Sequence, residues 1–216
     1  MDAGTGALSI LRRIKDAERT VREGERCEMC AAPIGDEHSH VVNLTSRSLL
    51  CTCRACTLLF DYDSAQLKYR AVPNRYLSFP SLQLAPEVWN ELQIPVGLAF
   101  LFRNSDLDRT VAFYPGPAGA TESELPLGAW DAVVQAHPRL AMALPDVEAI
   151  ILRAPADERT TVECYLVPID SCYELVGRLR RGWRGFDGGQ EARAHLGNYF
   201  DSLAARSKPA PEEVST

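Results

Sequence analysis

The stretch Cys27-Glu-Met-Cys30 is followed, after twenty residues, by Cys51-Thr-Cys53-Arg-Ala-Cys56. Two Cys-x-x-Cys pairs therefore stand 22 residues apart. Each pair can wrap a tight turn so that both thiolates face one point, and two such turns together give a tetrahedral set of four sulfur ligands, which zinc prefers. The spacing predicts one metal centre, with a structural zinc as its first choice, held by Cys27, Cys30, Cys53 and Cys56.

The residues between the two cysteine pairs predict a β-hairpin. His40–Leu44 forms one strand, Thr45-Ser46 forms the turn, and Arg47–Leu50 returns the chain to the second pair. On this plan the segment Cys27–Cys56 resembles a zinc ribbon. The resemblance implies a small module whose fold depends on its metal more than on an apolar core of its own.

Each cysteine turn departs from the pattern common in zinc ribbons. Glycine often follows the second cysteine of such turns and of rubredoxin-like turns, but Ala31 and Thr57 stand there in this chain. The metal therefore stays open at this point, with a rubredoxin-like iron site or a [2Fe–2S] cluster as the alternatives to zinc. A site with four protein ligands has no open position for water or substrate, which argues against metal catalysis.

Three further residues are candidate extra ligands of this centre. Cys51 is the fifth cysteine, and it lies on the same face as Cys53 if the segment is extended, because side chains alternate along a strand. We interpret Cys51 as a buried thiol or as a group that supports the ligands. We interpret His38 and His40 as part of a polar turn at the start of a strand. In the alternative interpretation they belong to a mixed Cys/His metal site or donate hydrogen bonds to the sulfur atoms.

Composition and charge exclude several classes of protein. The 216 residues suffice for one large domain or two small ones, and the apolar fraction of 46% is ordinary. No run of about 18 apolar residues occurs, which predicts no membrane span. Residues 1–6 lack the start of a secretory signal, so we expect a cytoplasmic protein, where reduced thiols favour metal ligation over disulfides. The net charge of −6 makes nucleic acid an unfavoured partner, because phosphate contacts need an excess of Lys and Arg.

The pattern along the chain predicts an α+β protein in five segments. Apolar residues at helical spacing predict an N-terminal helix in residues 1–24, and residues 25–62 form the zinc-ribbon-like module, named the cysteine module below. Residues 63–93 form an irregular, proline-containing connector. Residues 94–206 form a domain of order ββαββαα with a mostly antiparallel sheet. Residues 207–216 predict a disordered tail.

Alternating and helical patterns locate the elements of this domain and one helix of the connector. The expected strands are Ile94–Asn104, Arg109–Tyr114, Val147–Arg153 and Thr160–Pro168, with Pro115–Gly119 as a loop. The expected helices are Pro86–Leu92, Leu125–Ala136, Ser171–Arg181 and Gln190–Ala205.

The most basic segment of the chain interleaves arginines with aromatic residues: Arg178, Arg181, Trp183, Arg184 and Phe186. The simplest interpretation is a solvated helix end, because the negative end of the helix dipole favours arginine. The alternative is a patch that binds an anion or a protein partner, together with the connector stretch Tyr69–Phe79. No Ser/His/Asp arrangement, P-loop or dinucleotide fingerprint occurs, so we predict no enzyme. Cys164 and Cys172 are expected to be buried, with Cys172 at a helix start as a weak candidate for a reactive thiol.

Five stretches carry a resemblance that runs from Cys27 almost to Ser207: Cys27–Ile34, Gly97–Phe102, Tyr114–Glu122, Asp170–Val176 and Trp183–Gly189. On these stretches the chain resembles an uncharacterised bacterial family encoded within gene clusters for high-affinity [NiFe] uptake hydrogenases. The resemblance implies an accessory role in assembly, maturation or electron relay, through contacts with hydrogenase subunits or maturation factors. It assigns no catalytic residue. The alternatives are an electron-transfer protein with a rubredoxin-like or [2Fe–2S] centre and, ranked last among these, a zinc-ribbon protein that binds nucleic acid.

Overall fold

The computed structural model describes residues 24–61, 68–84, 86–92, 94, 97–116, 119–123, 128–154, 162–185 and 188–212. Nearly all of the N-terminal helix expected in residues 1–24 lies outside these residues. The strands are β1 (Ser39–Asn43), β2 (Ser48–Thr52), β3 (Tyr69–Ala71), β4 (Leu77–Ser78), β5 (Leu98–Asn104), β6 (Arg109–Gly116), β7 (Gly119–Glu122), β8 (Glu148–Arg153), β9 (Glu163–Pro168) and β10 (Lys208–Pro209). The α-helices are α1 (Arg54–Thr57), α2 (Pro86–Glu91), α3 (Gly128–Ala136), α4 (Ile169–Gly182) and α5 (Gly189–Arg206), with short 3₁₀ helices at Leu58–Phe60 and Pro138–Met142.

A small antiparallel sheet of order β2-β1-β3 carries the cysteine module. The predicted hairpin is present, although β1 begins one residue earlier than expected and β2 continues to Thr52. The Asn43 side chain accepts hydrogen bonds from the backbone N–H groups of Thr45 and Ser46, which closes the turn. The register places His40 opposite Cys51 and Val41 opposite Leu50.

A second sheet of seven strands has the order β10-β4-β9-β8-β5-β6-β7. All neighbouring strands in it are antiparallel except β10 and β4, which are parallel. The α+β class with a mostly antiparallel sheet is therefore confirmed.

Both faces of the large sheet are covered, which explains why β5 and β8 are apolar without alternation. Ala99 and Leu101 pack on one face with residues of α2 and α3, including Trp89 and Trp130. Leu98 and Phe100 pack on the opposite face with residues of α4 and α5. The second cluster also contains Val42 of β1 and Val72, which follows β3, so the small sheet shares a core with the large one.

Three segments differ from the sequence-based expectation. The connector, residues 63–93, supplies β3 to the small sheet and β4 to the large sheet instead of staying irregular. The stretch Pro115–Gly119 is not simply a loop, since β6 runs to Gly116 and β7 begins at Gly119. Part of the expected tail, residues 207–216, forms β10, and Ala210 is buried after it. These strands have two to four residues, too few to show a period. Each of β3, β4 and β7 pairs with a longer strand, and β10 pairs with β4.

An ion pair between the partly exposed Arg75 and the buried Glu148 fixes the connector to the large sheet. The Arg75 guanidinium donates from Nε to Glu148 Oε1 over 2.8 Å, and a second nitrogen donates to Oε2 of the same carboxylate. Glu148 is fully buried on β8, and its Oε2 also accepts the backbone N–H of Leu144.

Among the described residues, no helix has the length and apolar character that crossing a bilayer requires.

Candidate metal centre

The structure brings the four predicted cysteines together. The sulfur atoms of Cys27, Cys30, Cys53 and Cys56 all lie within 4.8 Å of one another, and those of Cys30 and Cys53 are 3.7 Å apart. Cys27 and Cys30 belong to a turn that precedes β1, Cys53 directly follows β2, and Cys56 lies in α1. The hairpin thus delivers both turns to one point, and the arrangement could hold a metal ion.

The backbone conformation of the first cysteine turn shows why glycine suits the position after Cys30, where this chain has Ala31. The backbone N–H of Cys27 donates to the Ala32 carbonyl, and that of Ala31 donates to the Cys27 carbonyl, both over 2.8 Å. Closing the turn in this way leaves Ala31 at φ +60°, in the left-handed region where a Cβ atom costs free energy. Ala31 therefore occupies a position that suits glycine better.

The second cysteine turn has no such requirement. Thr57 is the last residue of α1, with a helical φ of −58°. Its backbone N–H and its hydroxyl both donate to the Cys53 carbonyl, and the hydroxyl also contacts that of Thr52 at 2.8 Å. Threonine at this position therefore stabilises the turn, and the departure from the common glycine pattern is explained locally.

Cys27 and Cys56 differ strongly in acidity. Burial opposes ionisation of Cys27, but hydrogen bonds from the backbone of Cys53, Cys30 and Met29 outweigh it and lower the pKa of Cys27 to about 6. Hydrogen bonds with Cys30 and Cys53, and then burial, raise the pKa of Cys56 to about 12. A negative charge on Cys27 also opposes the ionisation of Cys56. A cation between the four sulfurs attracts every thiolate and removes that opposition.

His38, His40 and Cys51 form a second group, separate from the four cysteines. One ring nitrogen of each histidine and the Cys51 sulfur lie within 4.8 Å of one another. The sequence suggested these residues only as extra ligands or supports of the four-cysteine centre. The signal that would have separated them is the hairpin register, because His40 and Cys51 are direct cross-strand partners and His38 precedes His40 by two residues on the same face.

Glu28 links the two groups. Its backbone N–H donates to the Cys51 carbonyl over 2.9 Å, and its carboxylate accepts the backbone N–H of Cys51 over 2.6 Å. Burial, with the nearby charges of Glu28 and Glu25, raises the pKa of the Cys51 thiol. Cys51 is therefore held in place by the turn that carries Cys27 and Cys30.

A family model described as a family of unknown function, DUF5947, matches residues 26–207. The chain belongs to this family. The match begins one residue before Cys27 and covers every strand except β10, so all the cysteines and both clustered histidines of this DUF5947 member lie within it. Searches of curated proteins and of solved structures gave no significant match.

The arginines of the basic segment of this DUF5947 member are exposed. Arg178, Arg181 and Arg184 are exposed, and Arg178 pairs with Glu174 one helical turn away. Trp183 is half-buried, packs against the core shared by α4 and α5, and donates its indole N–H to the Gly185 carbonyl. Phe186 lies outside the described residues. The arginines therefore form an accessible patch, named the arginine patch below, whereas Trp183 contributes to the core.

The two remaining cysteines lie in the cores on opposite faces of the large sheet. Cys164 packs with the α2–α3 side and Cys172 with the α4–α5 side. Burial raises the pKa of both thiols far above that of a free cysteine, with the charge of Asp170 adding to the effect at Cys172. The interpretation of Cys172 as a reactive thiol is therefore unsupported by its surroundings.

Proposed function

We propose that this DUF5947 member is a non-enzymatic, cytoplasmic accessory protein whose four-cysteine centre binds one zinc ion and stabilises a zinc-ribbon module. The observation that carries the proposal is the convergence of four sulfur atoms within 4.8 Å of one another, where the chain enters β1 and leaves β2. Four thiolates complete a tetrahedral zinc shell and leave no position for a substrate. A zinc at this point holds the two turns of the module together and presents the module to a partner.

The proposed partner is a protein, namely a subunit or maturation factor of a [NiFe] hydrogenase. The resemblance described from the sequence supports this class of partner. The arginine patch supports the mode of contact, because Arg178, Arg181 and Arg184 offer exposed guanidinium groups to an acidic surface. The connector stretch Tyr69–Phe79 is a weaker candidate than the sequence suggested, since its strands pair within the two sheets.

Electron transfer is the second candidate function, and one feature of the site favours it. Cys30 is exposed, and Leu58 and Leu59, which follow Cys56 closely, are 63% and 66% exposed. An iron ion bound here would lie near the surface, beside apolar side chains that a redox partner can cover. Binding to nucleic acid has no comparable support, because the chain is acidic and the cysteine module, residues 25–62, carries five acidic residues against three arginines.

The identity of the bound metal distinguishes the structural role from electron transfer. Elemental analysis and a visible spectrum are measured on the same anaerobically purified sample. Zinc without iron, at one ion or more per chain and without visible absorption, is the expected result. Iron, with visible bands that bleach on reduction, would contradict the structural role and favour electron transfer.

A pull-down from the native host tests the partner. The triple variant Arg178→Ala, Arg181→Ala, Arg184→Ala is compared with a control triple variant, Arg47→Ala, Arg103→Ala, Arg109→Ala, which removes the same number of charges from exposed ion pairs elsewhere. We expect the wild type and the control to recover a hydrogenase-related protein and the first variant to lose it. Recovery of no such protein by the wild type would reject the proposed partner.

A further inference from the structure

We propose that His38, His40 and Cys51 bind a second metal ion, a zinc-like divalent transition metal, at a site distinct from the four-cysteine centre. Two imidazole nitrogens and one thiolate are ligands that zinc and its neighbours in the first transition series accept readily. One ring nitrogen of each histidine and the Cys51 sulfur lie within 4.8 Å of one another. This inference does not depend on the function proposed for the four-cysteine centre.

The hydrogen bonds of the two histidines leave one nitrogen of each ring for a metal. His38 Nδ1 lies 2.9 Å from the Gly35 carbonyl oxygen, and His40 Nδ1 lies 2.7 Å from Asp170 Oδ2. A carbonyl oxygen and a carboxylate can only accept, so Nδ1 of each ring carries the proton. In a neutral imidazole the lone pair then resides on Nε2. A histidine whose second nitrogen donates to a carbonyl or carboxylate is the usual arrangement of a metal-bound histidine.

The Nε2 atom of His38 provides an independent observation. This atom is buried and has no hydrogen-bond partner, and the side chain as a whole is 10% exposed. An unsatisfied buried nitrogen costs free energy, and a metal ion at this point would remove the cost. The surroundings favour a cation further, because carboxylates of Glu25 and Asp170 lie behind the two rings, at 3.5 and 2.7 Å from Nδ1.

The alternative is that both histidines are protonated and only form ion pairs. Their ring centroids are 4.7 Å apart, so two imidazolium charges would repel each other in a partly buried site. A metal ion bound by neutral rings avoids this repulsion and leaves the same carboxylate contacts in place.

The second site differs from the first in having three protein ligands. Its fourth position can take water or an external ligand, as in zinc sites that exchange ligands. His38 and His40 line a cleft of about 960 Å³ between the cysteine module and α4, which gives such a ligand a path to the metal. Asp170, at the start of α4, supports His40, so occupancy of the site would also connect the module to the large domain.

Counting zinc tests the site, because the chain offers matched controls. It contains four histidines, and the other two, His137 and His195, lie outside the cluster. Protein reconstituted with zinc and then dialysed is measured by elemental analysis and native mass spectrometry. We expect two zinc ions per chain in the wild type and in the His137→Ala, His195→Ala control. The His38→Ala, His40→Ala variant and the Cys51→Ser variant should each retain one ion.

X-ray absorption then distinguishes the two sites. The zinc retained by the His38→Ala, His40→Ala variant should show sulfur ligands only, and the wild type should show an added imidazole contribution. If the His38→Ala, His40→Ala variant bound no zinc while the Cys27→Ser variant still bound one ion, the function proposed for the four cysteines would be rejected. The second site would then stand. One zinc in both the wild type and the histidine variant, or two in both, would overturn the second site.

A milder substitution keeps the test valid if the double variant is unstable. Asp170→Asn leaves both histidines in place and replaces the charged acceptor behind His40 with a neutral amide, which accepts a weaker hydrogen bond. The affinity of the second zinc should fall about 10- to 100-fold, as for other substitutions behind a ligating histidine, while the first zinc is unaffected. An unchanged affinity of the second zinc would contradict the role of His40 as its ligand.

Discussion

Ala31 and Thr57 follow the second cysteine of their turns, and their backbones predict opposite responses to glycine. Ala31→Gly should stabilise the zinc-bound protein by about 1 kcal/mol, because glycine adopts a positive φ without the steric cost of a Cβ atom. Thr57→Gly should destabilise it by about 1 kcal/mol or more, because it removes two side-chain hydrogen bonds from a helical residue. Denaturant unfolding in the presence of zinc measures both, and changes of the same sign would contradict the geometry of the two turns.

Cys164 and Cys172 should resist alkylation while the protein is folded. Both thiols are buried and their pKa values are raised, so little thiolate is present at neutral pH. Peptide mapping after iodoacetamide treatment of chelated but folded protein should find Cys30 modified and these two unmodified. The same treatment in denaturant is the control and should modify all seven cysteines. Rapid labelling of Cys172 in the folded state would restore its interpretation as a reactive thiol.

The sequence named the ligand residues of both sites, but it indicated the grouping of the first site only, and it assigned His38, His40 and Cys51 to the four-cysteine centre as candidate extra ligands. Two Cys-x-x-Cys pairs carry their own geometry, since each pair closes a local turn. The grouping of His38 and His40 with Cys51 depends instead on the register of β1 against β2. A shift of one residue in this register would place the Cys51 side chain on the face of the sheet opposite to the two histidines. The contact of His40 with Asp170 joins residues 130 positions apart, which no spacing rule indicates.

At the scale of elements, the ion pair between Arg75 and Glu148 attaches the connector to β8. Arg75→Ala should lower the free energy of unfolding by about 3 kcal/mol, because it leaves the carboxylate of Glu148 buried and without its cation. Arg103→Ala removes an arginine from an exposed pair with Asp108 and should cost less than about 1 kcal/mol. Equal losses in thermal or denaturant unfolding would show that the buried pair has no special role.

The longer elements were predicted well and the short ones were not. The helix expected over Ser171–Arg181 spans Ile169–Gly182, and that expected over Gln190–Ala205 spans Gly189–Arg206, because each covers several turns of a periodic pattern. Strands β3, β4 and β10 have two or three residues each and owe their conformation to the strands beside them. Because these strands were not predicted, the sequence analysis assigned residues 63–93 to an irregular connector and residues 207–216 to a disordered tail, although parts of both segments form sheet.

At the scale of the whole molecule, the two sheets should respond differently to metal removal. The large sheet has an apolar cluster on each face, whereas most side chains of β1 and β2 are only partly buried. A strong chelator should therefore increase amide hydrogen exchange in the cysteine module and leave β8 and β9 protected, because local stability follows local burial. Mass spectrometry resolves the two regions, and zinc added back is the control.

The contacts between the sheets limit how far this loosening can spread. Arg70, on β3, donates to Asp146 and to the Pro145 carbonyl, so β3 should remain attached to the large sheet even when β1 and β2 open. The His38→Ala, His40→Ala variant, treated with the same chelator, separates the effect of the four-cysteine centre from that of the second site. Increased exchange in both sheets would mean that the metal stabilises the entire fold. Unchanged exchange in β1 and β2 would mean that packing on the large sheet suffices to hold the module.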